Sequence, residues 1–496
     1  MKDFQYYLNS IGEIGYVEET TNSIIYASGL PEVKPGELVL FETKDPSLPS
    51  QLGQVLSFNE NSVELLFFSK DLPTPGTKIV RTNELLKIPL GDELLGNVID
   101  LLGKSLEDKM LNIKPTAISG PINTLASGIT TRKSIKRHFV TGVPIVDLLL
   151  PLGYGQKQLI IGDRKTGKTD FLLQSVLTQA KLGKICVYGA IGKRKLDIKK
   201  LRDVFVNYEI MDRIVIVASG PQDPTSLIYL TPYSAMTISE YFRDEGHDVL
   251  LVLDDLSTHA KFYREISLLG KKFPGRNSYP GDIFYTHASL LERAGNFITP
   301  NGERAITCLP VAETIQGDLS GYIQTNLMSM TDGHLYFDTD FFGKGRRPAI
   351  NPFLSVTRVG KQTQSIVKRE ITREILSFLT LFEKMQSFTH FGAELNETTK
   401  VTISVGQELI KFFQQQPSST IPINAQILLF CLLWLDVVQK FSFFEKKEDI
   451  EKIIRLYETR EDFRKYVNST IETAISFNKL LGTIRQKKDE ISQFYQ

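Results

Sequence analysis

Charge of one sign is what this chain most lacks. Its 496 residues carry 58 Lys plus Arg against 57 Asp plus Glu, a formal net charge of +1. So even a balance gives no broad electrostatic footprint for nucleic acid or an anionic membrane surface, and neither is expected as a partner. The densest basic run, Arg132-Lys133-Ser134-Ile135-Lys136-Arg137, has the character of a solvated face. Cysteine is scarce too: Cys186, Cys308 and Cys431 are far apart and none has a metal-ligand spacing. Free, reduced, mostly buried thiols and a cytoplasmic setting are the expectation. No long apolar run is present. The most apolar segment, Ile421 to Val438, is interrupted by Pro422, Asn424, Gln426 and Asp436, and reads as a buried helix and not a membrane span. The first residues, Met1-Lys2-Asp3-Phe4-Gln5-Tyr6-Tyr7, hold an early acid and no apolar core of a signal peptide.

What is present is organised in three stretches. A chain of this length exceeds one hydrophobic core, and its 42% hydrophobic and 23% charged residues place it among ordinary globular proteins. Short alternating runs at Ile14–Val17, Ile24–Ala27, Glu37–Phe41, Gly53–Phe58 and Ser62–Phe67 are separated by Gly, Pro and Asn turns, the pattern of a small barrel or sandwich. Farther on, strand-like runs at Gln158–Ile161, Ile185–Tyr188, Ile214–Ala218, Val249–Leu253 and Ile306–Val311 alternate with helical stretches. That alternation implies a mostly parallel sheet with helices on both faces. From about Ile366 the strand signals stop and helical spacing takes over. The expected fold is therefore multidomain: a β domain over 1–88, an α/β nucleotide-binding domain over 89–365, and a helical bundle over 366–496.

The most informative segment is Gly162-Asp163-Arg164-Lys165-Thr166-Gly167-Lys168-Thr169, which matches G-x-x-x-x-G-K-[ST]. The apolar run Gln158–Ile161 leads in as a strand, and Asp170 to Leu182 leads out as a helix. In that setting glycines let backbone N–H groups close around phosphate oxygens at a helix N-terminus. Lys168 reaches the outer phosphates and the Thr169 hydroxyl holds Mg²⁺. A nucleoside triphosphate is the expected ligand. Val249-Leu250-Leu251-Val252-Leu253-Asp254 is an apolar strand ending in an acid. Alone, such an acid reads as a helix cap; with the phosphate loop upstream, a role beside Mg²⁺ is favoured. Asp255 reads equally as a general base or as a capping or solvated acid.

These pieces stand in a familiar order. With Asp254-Asp255-Leu256-Ser257, Pro274 to Asp282, Gly345 to Asn351 and Ser355 to Gly360, the sequence resembles the alpha subunit of the F-type rotary ATP synthase. Further matches lie at Gly96 to Gly103, Gly142 to Leu152 and Ser239 to Asp244, so the resemblance runs from about Ile11 into the C-terminal helices. The pair Asp163-Arg164 is of the alpha and not the beta type. The resemblance implies an N-terminal β-barrel, a central RecA-like phosphate-loop domain, and an alternating hexamer of three alpha-like and three beta-like subunits. It also implies a gamma-like central stalk, ATP or ADP with Mg²⁺, and contact with the inner face of the cell membrane only through other subunits.

The resemblance assigns further residues. Beta subunits carry a catalytic glutamate after the strand that follows the phosphate-loop helix, and alpha subunits a glutamine; here Lys193 takes that place. A charged lysine cannot accept a proton from water, so the chain's own site is expected to bind nucleotide and hydrolyse it poorly or not at all. The charge of Lys193 either tightens binding or stands in for that of the metal. Arg358, in Ser355-Val356-Thr357-Arg358-Val359-Gly360, lands on the arginine finger that crosses to a neighbour's γ-phosphate. Arg164 is expected to contact phosphate within its own loop, and Gln414 and Gln416 to lie near the adenine.

Lys165 and Lys193 both depart from the usual alpha glutamines, and fewer residues precede the first strand than in ordinary alpha subunits. With the Lys-, Ile- and Phe-rich composition and the single Trp434, this is similar to the divergent F-type-like ATPases of mycoplasmas, some of which drive machinery other than ATP synthesis. Two alternatives stand beside this reading. One is a self-sufficient hexameric motor such as a Rho-like RNA helicase, and the other a scaffold that has lost its nucleotide.

Overall fold

The computed structural model describes residues 3–43, 51–107, 118–389, 397–417, 419–439, 448–487, 490–491 and 494. The chain forms two compact units. One is drawn from residues 1–133, 183–313 and 318–331, the other from 134–182, 314–317 and 332–496.

The first unit opens with a helix, Phe4–Ile11, whose N-terminus is capped by the Asp3 carboxylate accepting from the Tyr6 N–H. Six strands follow and close into a barrel. Closure is made by Ile14–Thr21, which pairs antiparallel both with Ile24–Ser28 and with Lys78–Leu85. Alternation fills the interior with Val17, Ile25, Val39, Phe41, Val55, Leu65, Phe67 and Ile79. The rings of Phe41 and Phe67 meet edge to face at 4.9 Å. The sixth strand, Lys78–Leu85, is absent from the runs visible in the sequence because Arg81-Thr82-Asn83 breaks its alternation. Arg81 is nevertheless buried, its Nε donating to Glu37 at 3.0 Å and its Nη1 to Glu13 at 2.9 Å.

The same unit holds a parallel sheet. Val98–Ile99 pairs with Ile214–Ala218, which pairs with Ile185–Ala190, then Val249–Asp254, then Gly302–Glu313. Gly295–Thr299 adds an antiparallel hairpin partner to Gly302–Glu313. Every residue of Ile185–Ala190, Ile214–Ala218 and Val249–Asp254 is buried, which explains their unbroken apolar runs: a sheet covered on both faces has no polar side. Beside it, Arg293 is 1% exposed and satisfied by Glu240 at 2.6 Å, Thr237 Oγ1 at 2.7 Å and the Ile122 carbonyl at 2.8 Å.

The second unit places Leu159–Gly162 parallel to Gly333–Phe337, with Val356–Thr357 antiparallel to the latter. The helix Lys168–Lys181 leaves the phosphate loop. Asp147 is fully buried and accepts from the N–H groups of Thr141 and Gly142 and from Gln426 Nε2, all within 2.9 Å. The C-terminal helices are Ile366–Thr389, Glu397–Phe413, Ile423–Gln439, Glu448–Thr459, Glu461–Glu472 and Phe477–Gln486. The helix Ile423–Gln439 covers most of the segment read as a buried helix and ends one residue beyond it, and the Trp434 ring on it packs against Phe430 at 5.5 Å and Phe378 at 5.8 Å. The expected architecture of barrel, α/β nucleotide-binding domain and helical domain is the one observed. Among the described residues no helix is long and apolar enough to cross a membrane.

Candidate functional site

The phosphate loop runs from the end of the strand Leu159–Gly162 into the helix Lys168–Lys181. Two of its glycines are required by geometry. A Cβ on Gly162 would stand 2.4 Å from the Phe337 carbonyl oxygen, and Gly167 turns at φ +90° to start the helix. Between them Lys165 is left-handed at φ 62° and exposed. Successive N–H groups in such a turn form an anion-binding nest. Lys168 is folded back over the loop: its Nζ donates to the carbonyls of Gly162 at 2.7 Å and Asp163 at 2.5 Å. Thr166 Oγ1 closes the turn onto the Asp163 carbonyl at 2.7 Å, while Arg164 and Thr169 lie at the surface.

Asp163 anchors the loop. Its carboxylate accepts from Thr314 Oγ1 at 2.5 Å, the Gly317 N–H at 3.0 Å and Thr339 Oγ1 at 3.2 Å. Burial raises the affinity of this carboxyl for its proton, but those hydrogen bonds and the charge of Lys168 outweigh it and hold Asp163 below the ordinary carboxylate range. Thr314, Gly317 and Thr339 carry no sequence signal for this duty.

The glutamine run lies at the end of the helix Glu397–Phe413. Gln414 and Gln416 are exposed, and Gln415 between them is buried, its Nε2 donating to the carbonyls of Gly142 at 2.9 Å and Ser419 at 2.6 Å. The run is tied to the phosphate-loop helix, since Gln174 Nε2 donates to the carbonyls of Gln416 and Ser419 at 3.1 and 3.0 Å. Its other neighbour is Arg347, whose carbonyl accepts from the Gln415 N–H at 2.7 Å and whose guanidinium lies over the Phe342 ring at 3.4 Å. Arg347 and Phe342 escape a sequence reading because their approach to residue 415 is tertiary. Arg358 is exposed after Val356–Thr357, and its backbone N–H donates to the Asp332 carbonyl at 3.0 Å.

In the other unit, Asp254 ends its strand at the carboxyl edge of the parallel sheet, where ligands of such sheets gather. Strand register sets Ala190 opposite Asp254, and the Ile191 N–H donates to the Asp254 carbonyl at 2.8 Å. The loop after Ala190 therefore passes directly beside the acid. Gly192 and Lys193 are pinned there by Ser219, whose Oγ and carbonyl accept from their N–H groups at 3.1 and 2.9 Å. Lys193 Nζ lies 2.8 Å from Asp254 and 3.9 Å from Asp255, and the Tyr188 hydroxyl donates to the second Asp254 oxygen at 2.8 Å. Burial opposes the charge on Lys193, but the two carboxylates outweigh it and hold the ammonium above the ordinary lysine value. Asp255 acts as a cap: it accepts from the Thr258 N–H at 2.6 Å at the head of the helix Leu256–Leu269.

Two consequences bear on Mg²⁺ and on the general base. Asp254 has the strand-end position of a metal-side acid, and of its two oxygens one faces the Lys193 ammonium and the other accepts from the Tyr188 hydroxyl, which leaves lone pairs on both for a water on a cation. The acid nearest Lys193 in sequence, Asp197, is paired with Arg194 at 2.8 Å instead.

The strand, the glycine-bounded loop and the helix that Lys168 opens define a phosphate-loop nucleotide-binding protein. Residues 142–357 match the nucleotide-binding domain of the ATP synthase alpha/beta family, and residues 362–487 match the C-terminal domain of the ATP synthase alpha/beta chain. Similar proteins include the ATP synthase subunit alpha of Neorickettsia sennetsu, 39% identical over 86% of this chain and 84% of that one. That of Dictyoglomus turgidum is 39% identical over 85% and 82%, and that of Petrotoga mobilis 36% identical over 97% and 96%. The chain belongs to the ATP synthase alpha/beta family, as an F-type ATPase alpha subunit.

Proposed function

We propose that this chain is the nucleotide-holding, largely non-catalytic member of an alternating hexamer of three alpha-type and three beta-type subunits. ATP or ADP sits on the phosphate loop, with Lys168 and Arg164 on its phosphates, Thr169 at its metal-facing side, and Gln414 and Gln416 toward the base. Arg358 reaches from this chain to the γ-phosphate bound by the beta-type partner. A gamma-like stalk occupies the centre of the ring, and the membrane is reached through other subunits.

One observation carries the non-catalytic reading: the loop after the strand Ile185–Ala190 offers a lysine, held against Asp254, where hydrolysis needs a carboxylate to orient water. The exposure of Arg358 on its loop supports a role toward a neighbour. Family membership favours this reading over a Rho-like RNA motor, as does the balanced charge.

The test is steady-state ATP hydrolysis by the chain alone, by its complex with the beta-type partner, and by that complex carrying Arg358→Ala. The chain alone is expected to be inert and the complex active. The substitution is expected to lower the rate by on the order of 10³ or more, the scale of an arginine finger. Rapid turnover by the chain alone overturns the proposal.

A further inference from the structure

We infer that Asp170 accepts from the sugar hydroxyls of the bound nucleotide, so that this chain selects ribonucleotides over nucleotides that lack those hydroxyls. The inference rests on the reading that the phosphate loop holds nucleotide with Gln414 and Gln416 toward its base.

Asp170 is the third residue of the helix Lys168–Lys181, directly after the lysine and threonine of the phosphate loop. Side chains on a helix lean toward its N-terminus, and Asp170 Oδ2 stands 3.9 Å from where a Cβ on Gly167 would lie. One turn on, Gln174 occupies the same face and donates to the carbonyls of Gln416 and Ser419. The two side chains start about 6 Å apart along the helix. The carboxylate therefore lies between the loop, at the phosphate end, and the glutamine run, at the base end. The part of a nucleotide that joins phosphate to base is its sugar.

The carboxylate is also unclaimed. An acid at the head of a helix commonly caps it, as Asp255 does at Leu256–Leu269. No described residue donates to Asp170. Arg347 bears on it only as a charge, because that guanidinium is turned to the Phe342 and Arg346 carbonyls, at 2.8 and 2.7 Å, and to the Phe342 ring. Burial pushes the Asp170 carboxyl above the ordinary carboxylate range against that charge. A half-buried carboxylate without a donor gains by accepting one.

The chemistry selects the donor. An ionised carboxylate only accepts, so it opposes phosphate oxygens and matches hydroxyls, which donate. Two adjacent sugar hydroxyls offer a donor to each of its oxygens, and an acid serves the ribose in the same way in dinucleotide-binding folds.

The experiment measures equilibrium binding of ATP and of 2′,3′-dideoxy-ATP to the purified chain, as wild type, Asp170→Ala and Asp170→Asn. Wild type is expected to bind ATP about tenfold more tightly than the dideoxy nucleotide, the scale of a charge-assisted hydrogen bond. Asp170→Ala is expected to lower that ratio below about twofold by weakening ATP alone. Asp170→Asn, which keeps one accepting oxygen, is expected to hold it near about threefold. Equal wild-type affinities for the two nucleotides overturn the inference and leave the nucleotide reading intact, as does a ratio that stays near about tenfold in either variant. Tighter binding of both nucleotides by Asp170→Ala also overturns it, since that marks an acid acting on the phosphates. No binding of either nucleotide by chain that is folded by circular dichroism overturns both readings. Where one variant fails to fold, the other decides.

Discussion

Asp163 is an acid inside a loop built to hold anions, and its own sequence neighbourhood does not account for it. The structure does, because its carboxylate is occupied by Thr314, Gly317 and Thr339, the first of them 151 residues away. An acid held below the ordinary carboxylate range contributes stability that is fully present above the unfolded value, near 4, and lost as the pH falls through the lower folded value. Asp163→Asn is therefore expected to melt below wild type at about pH 6, with the gap narrowing toward about pH 3. A gap in melting temperature that stays constant over that range would show that the charge of Asp163 does not matter. The glycines and Lys168 were legible because they act through their own local backbone. The partners of Asp163 were not, because nothing local distinguishes a threonine that donates across the fold.

At the scale of elements, the head of the helix Leu256–Leu269 shows how an ambiguous residue is decided. Asp255 read as a base or as a cap, and its oxygens bond the Thr258 N–H and hydroxyl. A cap predicts a particular pattern: Asp255→Ala costs about 1 kcal/mol and Asp255→Asn very little, since asparagine caps nearly as well. Hydrogen exchange over the first turn of that helix should be faster in the alanine variant and close to wild type in the asparagine variant. Equal loss of protection in both would remove the capping role. Most strands were legible from unbroken apolar runs, as at Val249–Leu253. Lys78–Leu85 was not, because its buried Arg81 answers to Glu37 and Glu13 and not to the alternation rule.

At the scale of the molecule, the three cysteines lie within the cores, Cys186 and Cys308 on the parallel sheet and Cys431 in the helix Ile423–Gln439, all buried and none in a disulfide. Burial pushes the Cys186 and Cys431 thiols up, away from the reactive thiolate. Native protein should leave all three unlabelled by a thiol reagent, and unfolded protein should label three per chain. Rapid labelling of the native form would show that a core is open. By itself the sequence determined the order of barrel, nucleotide-binding and helical domains, the phosphate loop and the family, because periodicity and contiguous motifs are local properties. Only the tertiary structure decided what Lys193 does. Its partner Asp254 is 61 positions away and is delivered by the pairing of Ala190 with Asp254, and such register follows from burial of whole strands and is written in no single segment.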